Sequence, residues 1–264
     1  MLTQERIKEI FAKANAIITG DHFVYAKKAD GWYHGPDYVN KDAIYPFVGL
    51  VDELCREIAN HFSKFGIEAV VGPAIGAVSL SQWTAHRLTY MTRQEVLAIF
   101  ADEEDVLQRR HFPIAARMLN FEAFGTVSLN NSFDSSGKID LAEVNYFAKI
   151  GTGRVIKRGY DKLIKGKRCL IVEDIINSGI TVAKTRDAVI AVGGEVIGVG
   201  CLCNRSGGRV TAQTLCVPEL FSLLDLDMKM FPEADCPICR EKGQQSVRTD
   251  LGKGREFLRQ VGLS

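Results

Sequence analysis

No apolar run in this chain approaches the roughly 20 residues that a bilayer-spanning helix needs, so no membrane partner is expected. Excess charge is equally absent. Thirty-three Lys and Arg stand against 32 Asp and Glu, a formal net charge of +1. A general nucleic-acid surface, which works by neutralising phosphates, is therefore not expected. The opening residues Met1-Leu2-Thr3-Gln4-Glu5-Arg6 lack the apolar centre of a signal peptide. Without one, the seven cysteines are expected as mostly free thiols in a reducing cytoplasm. Cys236-Pro237-Ile238-Cys239 has the spacing of half a zinc knuckle, but no second CxxC or adjoining His pair lies nearby. Cys201 and Cys203 alternate onto one face of a strand, so a four-thiolate site and free thiols both stand. Gly166-Lys167 is followed by Arg168 rather than Ser or Thr, which excludes a nucleotide P-loop.

What is present is an ordinary globular composition, 46% hydrophobic and 25% charged over 264 residues. That length allows a sizeable core. The chain is organised around Cys169 to Thr181. Leu170, Ile171 and Val172 form a short apolar run of the kind that makes a buried parallel strand. Glu173 and Asp174 follow where such a strand leaves the sheet, then the small polar loop Asn177-Ser178-Gly179, and Val182 to Val192 at helical spacing. A helix amino terminus offers unpaired N–H groups and the positive end of the helix dipole, which suits a phosphate. Gly179 lets the backbone approach, and the Ser178 and Thr181 hydroxyls add donors. The two carboxylates would repel a phosphate, so they should face sugar hydroxyls or a metal. The pattern is that of a site for a phosphorylated sugar; the bland alternative is a capped helix with both acids solvated.

Elsewhere the spacing of Ile7, Ile10, Phe11, Ala14, Ile17 and Ile18 predicts a helix ending at Gly20. The segment from Asp21 to Tyr45 reads as a strand pair. Val48 to Phe65 reads as a helix, and Ile67 to Val71 as a strand running into the tight loop Gly72-Pro73-Ala74-Ile75-Gly76. Val96 to Ala101 is a strand, and the acids Asp102 to Asp105 read as a solvated run. Within 105–153, Pro113 to Phe124 carries a weak helical pattern, Asn130 to Gly137 reads as turn, and Leu141 to Ile150 as strand or short helix. Further strands are read at Arg154 to Arg158, Val196 to Leu202 and Leu220 to Leu226. The fold class is α/β: a largely parallel sheet with helices on both faces, whose ligands bind outside the carboxyl ends of the strands.

The run from Glu173 to Thr181 resembles the phosphoribosyl diphosphate (PRPP) signature of the type I phosphoribosyltransferases. His22-Phe23-Val24-Tyr25, Tyr38-Val39-Asn40-Lys41-Asp42, the Pro73 loop, Val155 to Asp161 and Cys203-Asn204-Arg205 are similar to pieces of the orotate branch, in its order. The resemblance implies a single domain over 1–264, with hood and flanking elements from 1–45 and about 205–264, and an insertion at 105–153 of unknown role. It implies transfer of phosphoribosyl from PRPP to orotate, forming orotidine monophosphate and diphosphate. Catalytic roles fall on Asp174, Glu173, Lys157 and Arg158. PRPP binding falls on Ile175, Ile176, Asn177, Ser178, Gly179, Ile180 and Thr181, with Pro73, Ala74, Ile75 and Gly76 as the diphosphate loop. Arg205 is the base-recognition residue. Phe23 is either near the base or core packing, and Lys27 or Lys28 matches a basic group near the diphosphate or is a surface charge. The resemblance further implies Mg²⁺ carried by PRPP, with Glu173 and Asp174 reaching it at most through water, and a homodimer. The Lys-rich run ending in His-Gly, the family's catalytic loop, does not occur here, nor does a Lys between Gly72 and Ala77. Asn177 stands where the family has a hydroxyl residue. The alternatives are a phosphoribosyltransferase for a purine or uracil, and a non-catalytic PRPP-binding regulator.

Overall fold

The run Leu170-Ile171-Val172 is fully buried and lies in the middle of a parallel sheet. A computed structural model describes residues 2–28, 31–114, 127–133 and 139–263, with side chains given for 2–27, 31–106 and 151–263. In chain order the strands are β1 (Ile17–Ile18), β2 (Phe23–Lys28), β3 (Gly31–Gly35), β4 (Tyr38–Val39), β5 (Ala69–Pro73), β6 (Leu97–Ile114), β7 (Val127–Phe133), β8 (Ile139–Val155), β9 (Arg168–Ile176), β10 (Glu195–Asn204), β11 (Leu220–Asp225) and β12 (Phe231–Pro232). The helices are α1 (Gln4–Lys13), α2 (Val48–Phe62), α3 (Val78–Thr92), α4 (Tyr160–Ile164), α5 (Ile180–Ala191), α6 (Ala212–Leu215), α7 (Pro237–Lys242) and α8 (Gly254–Gln260). The chain divides into two compact units, Met1–Asp102 with Ile156–Ser264, and Glu103–Val155.

In the larger unit five strands pair in parallel in the order β11-β10-β9-β5-β6. Side chains on β9 alternate between faces. Leu170 and Val172 join a core built with Ile10 and Phe11 of α1, Leu54, Ile58 and Phe62 of α2, and Leu80 and Leu88 of α3. Cys169 packs on the other face with Ile164 of α4 and Val189 of α5, and Ile171 with Val182 and Leu215. Both faces are thus covered, which is why an unbroken apolar strand is stable there. Each fully buried aliphatic side chain contributes roughly 1.5–3 kcal/mol. Differences in intrinsic helix preference reach only about 0.7 kcal/mol, so burial decides that Val- and Ile-containing α2 is helical.

Beside this sheet a small antiparallel one, β12-β3-β2, joins an amino-terminal hairpin to a carboxyl-terminal segment. Among the described residues its core cluster has Val24, Trp32, Val247 and Phe257 buried, with Leu258 and Val261 partly buried against them. The smaller unit contains the outer parts of β6 and β8, with β7 antiparallel to β8 from Val127 opposite Tyr146 to Phe133 opposite Ile139.

Three local expectations change. Helix α1 stops at Lys13, because Asn15 takes a positive φ of 49°, and Ile17 and Ile18 instead pair with Val39 and Tyr38. Apolar spacing alone carried the predicted helix past that break. Asn130 to Phe133 belongs to β7, where ladder bonds to β8 override turn-forming composition; the rest of that predicted turn, 134–137, lies outside the described residues. Pro113 and Ile114 end β6, which runs straight through the exposed acids Glu103, Glu104 and Asp105; the remaining predicted helix, 115–124, lies outside the described residues. Leu141 to Ile150 is strand, within β8.

Candidate functional site

At the carboxyl end of β9 the chain turns through Asn177, Ser178 and Gly179 into α5. Glu173, Ile175, Ile176 and the whole run Asn177 to Val182 line a pocket of about 80 Å³ at the helix head. The first N–H groups of a helix lack intrahelical acceptors, so the pocket is walled by donors. Gly179 makes the turn possible. Its φ is +74°, and a Cβ there would lie 2.7 Å from Leu215 Cδ2 and 3.1 Å from Val210 Cγ1. Glycine is required both by conformation and by the close approach of the 210–215 segment.

Glu173 and Asp174 are 6% and 5% exposed. Asp174 Oδ1 accepts from its neighbour Ile175 N at 2.6 Å, and Oδ2 lies 2.5 Å from Lys41 Nζ. Glu173 Oε1 accepts from Asp174 N at 3.2 Å, while its buried Oε2 has no hydrogen-bond partner among the described residues. Burial opposes the charge on Lys41, yet Asp174, Asp42 and Glu173 together hold its pKa above the ordinary value. The Pro73 loop closes over this pair. A Cβ at Gly76 would fall on Asp174 Oδ2 and Lys41 Nζ, and Tyr45 Oη donates to Gly76 O. Ala74 N donates to Ala101 O at 2.8 Å, anchoring the loop to β6.

Burial, and then the adjoining Asp174 charge, raises Glu173 well above its ordinary 4.5. A group whose folded pKa lies above its unfolded one takes up a proton on folding. Its stabilising contribution is complete below about 4.5 and is lost as pH rises through the raised value. Glu173→Gln keeps the shape and removes the ionisation. Melting temperatures of ligand-free protein, followed from acid to alkaline pH, should therefore fall less steeply for the variant than for the parent. Parallel curves would mean that Glu173 is not the titrating group.

A second, smaller pocket adjoins the first through Asn177, which lines both. Its other walls are Tyr25, Arg205, Arg209, Met228 and Met230. The Arg205 guanidinium lies 5.4 Å over the Tyr25 ring, and its buried Nε has no hydrogen-bond partner among the described residues. Arg205 N donates to Ile176 O at 2.9 Å, which fixes this residue beside the β9 loop. Tyr25 is itself held by a hydrogen bond from Oη to Asp37 O.

The other expected residues lie as follows. Phe23 is fully buried, stacked on Tyr38 at 5.2 Å, and lines neither pocket. Lys27 is exposed on the small sheet and donates to Gln260 Oε1 at 2.8 Å. Lys28's side chain lies outside the described residues. Lys157 and Arg158 follow the end of β8, and Arg158 lies beside Phe100 and Asp102 of β6. There Arg158 forks onto both carboxylate oxygens of Asp102 at 3.0 and 3.2 Å and stacks 5.4 Å from Phe100. The structure thus joins Glu173, Asp174, the β9 loop and Gly76, sets Arg205 next to Asn177, and leaves Phe23 outside both pockets. Lys41, Tyr45 and Tyr25 carry no role in the sequence reading. The first and third nevertheless sit inside the motif pieces Tyr38 to Asp42 and His22 to Tyr25.

Residues 41–232 match the model of the phosphoribosyl transferase domain. An orotate phosphoribosyltransferase of Caldanaerobacter subterraneus subsp. tengcongensis is 26% identical over 91% of this chain and 94% of its own. One from Caldicellulosiruptor bescii is 27% identical over 88% and 90%. Among solved structures, the Mycobacterium tuberculosis orotate phosphoribosyltransferase in complex with Fe(III) dicitrate superimposes with a TM-score of 0.49 at 14% identity, over 84% of this chain and 96% of that one.

Proposed function

The chain belongs to the phosphoribosyl transferase domain family, its match spanning most of the larger unit, and from that premise we propose that it transfers phosphoribosyl from PRPP to orotate. The observation that carries this is the pair of adjoining pockets at one sheet edge. One is walled by a helix head beside a buried carboxylate; the other holds an arginine; and among the described residues Glu173 Oε2 and Arg205 Nε have no hydrogen-bond partner. The first fits a sugar phosphate and the second a planar anion.

In this reading Asn177 to Thr181, with Ile175 and Ile176 behind them, hold the 5′-phosphate. Glu173 and Asp174 orient the ribose hydroxyls, and Lys41 holds Asp174 in place. The Pro73-Ala74-Ile75-Gly76 loop lies over the diphosphate, whose charge Lys157 and Arg158 offset. Arg205 receives the orotate carboxylate over Tyr25, and Phe23 supports the hood. The bond from the anomeric carbon to the diphosphate oxygen breaks through an oxocarbenium-like state. The bond to orotate N1 forms, and the N1 proton goes to solvent. Hard carboxylate oxygens suit Mg²⁺, but Asp174 Oδ2 is already held by Lys41. Glu173 and Asp174 therefore fit an ion held chiefly by PRPP and water. When bound, Mg²⁺ neutralises charge on the departing diphosphate. A cytoplasmic homodimer belongs to the same proposal.

Incubation with PRPP, Mg²⁺ and orotate, uracil, adenine or xanthine in turn tests this by diphosphate release. Turnover with orotate alone supports the reading, and turnover with another base alone overturns its substrate. The missing Lys-His loop favours a second reading, a PRPP-binding regulator. It predicts calorimetric binding of PRPP with no diphosphate released for any base. Arg205→Ala should raise the KM for orotate about 10–100-fold, the worth of a charge-assisted fork, and leave that for PRPP nearly unchanged. Equal effects on both substrates would remove Arg205 from base recognition.

A further inference from the structure

The CxxC has its missing partners, and they are histidines. His22 precedes β2, His34 lies on β3, Cys236 precedes α7 and Cys239 lies within it. Their ligand atoms all fall within 4.8 Å of one another. His22 Nε2 is 3.6 Å from each of the two sulfurs and 3.1 Å from His34 Nδ1, and Cys239 Sγ is 3.3 Å from His34 Nδ1. Cys201 and Cys203, the alternative partners, are buried in two separate core clusters of the larger sheet.

We propose that His22, His34, Cys236 and Cys239 form a structural zinc site that clamps the carboxyl-terminal segment onto the amino-terminal hairpin. For Zn–S of about 2.3 Å and Zn–N of about 2.0–2.1 Å, a tetrahedron sets sulfur and nitrogen about 3.5 Å apart and two nitrogens about 3.3 Å apart. The three sulfur–nitrogen separations of 3.3–3.6 Å and the nitrogen–nitrogen separation of 3.1 Å lie close to those edges. The surroundings orient the ligands as well. Ser246 Oγ donates to Gly243 O, so toward His22 Nδ1, 2.7 Å away, it acts as acceptor. His22 therefore carries its proton on Nδ1 and turns the Nε2 lone pair toward the cluster. Cys239 N donates to Cys236 Sγ at 3.5 Å, the bond a thiolate ligand receives inside a CxxC turn. The Phe257 ring meets His34 edge-on at 4.7 Å. Four protein ligands close the coordination, which marks a structural rather than a catalytic ion.

The need for a clamp follows from the small size of the hood cluster, which among the described residues is centred on Val24, Trp32, Val247 and Phe257. Small cores of this kind gain cohesion from metals or cross-links. The ligands come from sequence positions some two hundred residues apart, so one ion closes a very long loop. Both thiols give up their protons to solvent on binding, and no oxidant is involved. Tyr25 lies three residues beyond His22 and walls the Arg205 pocket. The ion thus sets the position of that wall without touching it.

The full chain, purified without a polyhistidine tag, is analysed for metals. One zinc per chain is expected. Stripping with a strong chelator should lower the melting temperature, and Zn²⁺, but not Mg²⁺, should restore it. Co²⁺ in place of zinc should give tetrahedral d–d bands and thiolate-to-cobalt absorption of a two-sulfur site. Cys236→Ser and His34→Gln should each reduce zinc content at least tenfold. Should these variants fail to fold, the cobalt spectrum of the parent still decides. Zinc-free protein that neither binds cobalt through sulfur nor responds to chelator overturns the proposal. So does full zinc content in a folded Cys236→Ser variant, or a Cys236–Cys239 disulfide as the resting state under reducing purification. None of these readouts depends on which base, if any, the protein uses.

Discussion

Asp174→Ala should lower kcat by about 10²–10³-fold, the range seen when one preorganised polar group is removed from a developing charge. The carboxylate is buried and fixed at both oxygens, by Ile175 N and by Lys41 Nζ. In the proposed reaction it meets the ribose while positive charge builds at the anomeric carbon. Shape is not what matters, so Asp174→Asn, which can still accept from Ile175 N, should lose activity almost as severely. Stability should change much less. With Asp174 gone, burial still raises Glu173, but the neighbouring carboxylate that adds to that rise is removed and Lys41 keeps an acidic neighbour. Steady-state kinetics on folded protein, judged by an unchanged melting transition for the Asn variant, provide the check. Wild-type turnover in Asp174→Ala would remove this residue from the chemistry.

Gly179→Val should weaken PRPP binding by about 100-fold or more and also destabilise the fold. Two costs act together. A left-handed backbone costs a non-glycine residue about 1–2 kcal/mol, and φ at this position is +74°. The added carbon meets Leu215 Cδ2 at 2.7 Å, so either that side chain or the β9 loop must move. If the loop yields, the N–H groups at the head of α5 no longer converge on one point. Losing one or two charge-assisted hydrogen bonds at about 1.5–3 kcal/mol each accounts for the affinity change. Gly179→Ala separates the costs: it carries the same backbone penalty with a smaller intrusion. Calorimetric titration with PRPP measures both variants. Unaltered affinity in Gly179→Val would mean that the phosphate is held elsewhere.

The parallel sheet and the pocket at the head of α5 were legible because each of their signals is contiguous. Strand, acids, small loop and helix follow one another between Cys169 and Val192, and local rules act over that range. The partners of those acids were not legible. Lys41 reaches Asp174 from more than a hundred residues away, and Tyr45 meets Gly76 only once the chain has folded back. The histidine half of the metal cluster escaped for the same reason. Cys236 and Cys239 announce themselves by spacing, whereas His22 and His34 are brought together by hairpin pairing and carry no ligand spacing of their own. At Ile17 and Ile18 the failure was different: a helical period continued on paper across Asn15, where the backbone reverses. Apolar spacing shows which side chains can share a face, and says nothing of where the main chain breaks.

The hood interlaces segments from opposite ends of the sequence: Phe231 pairs with His34, and Phe257 packs on both His34 and Trp32. During synthesis on the ribosome the β2–β3 hairpin therefore emerges early and waits for its mates until nearly all of the polypeptide has been made. The nascent chain can assemble the parallel layer and the helix-head cradle first, while the β2–β3 hairpin that carries Tyr25 still lacks Phe231 and Phe257. Competence to hold a sugar phosphate should thus precede competence to choose a base, and ribosome-stalled chains halted just before Phe231 should display the first without the second.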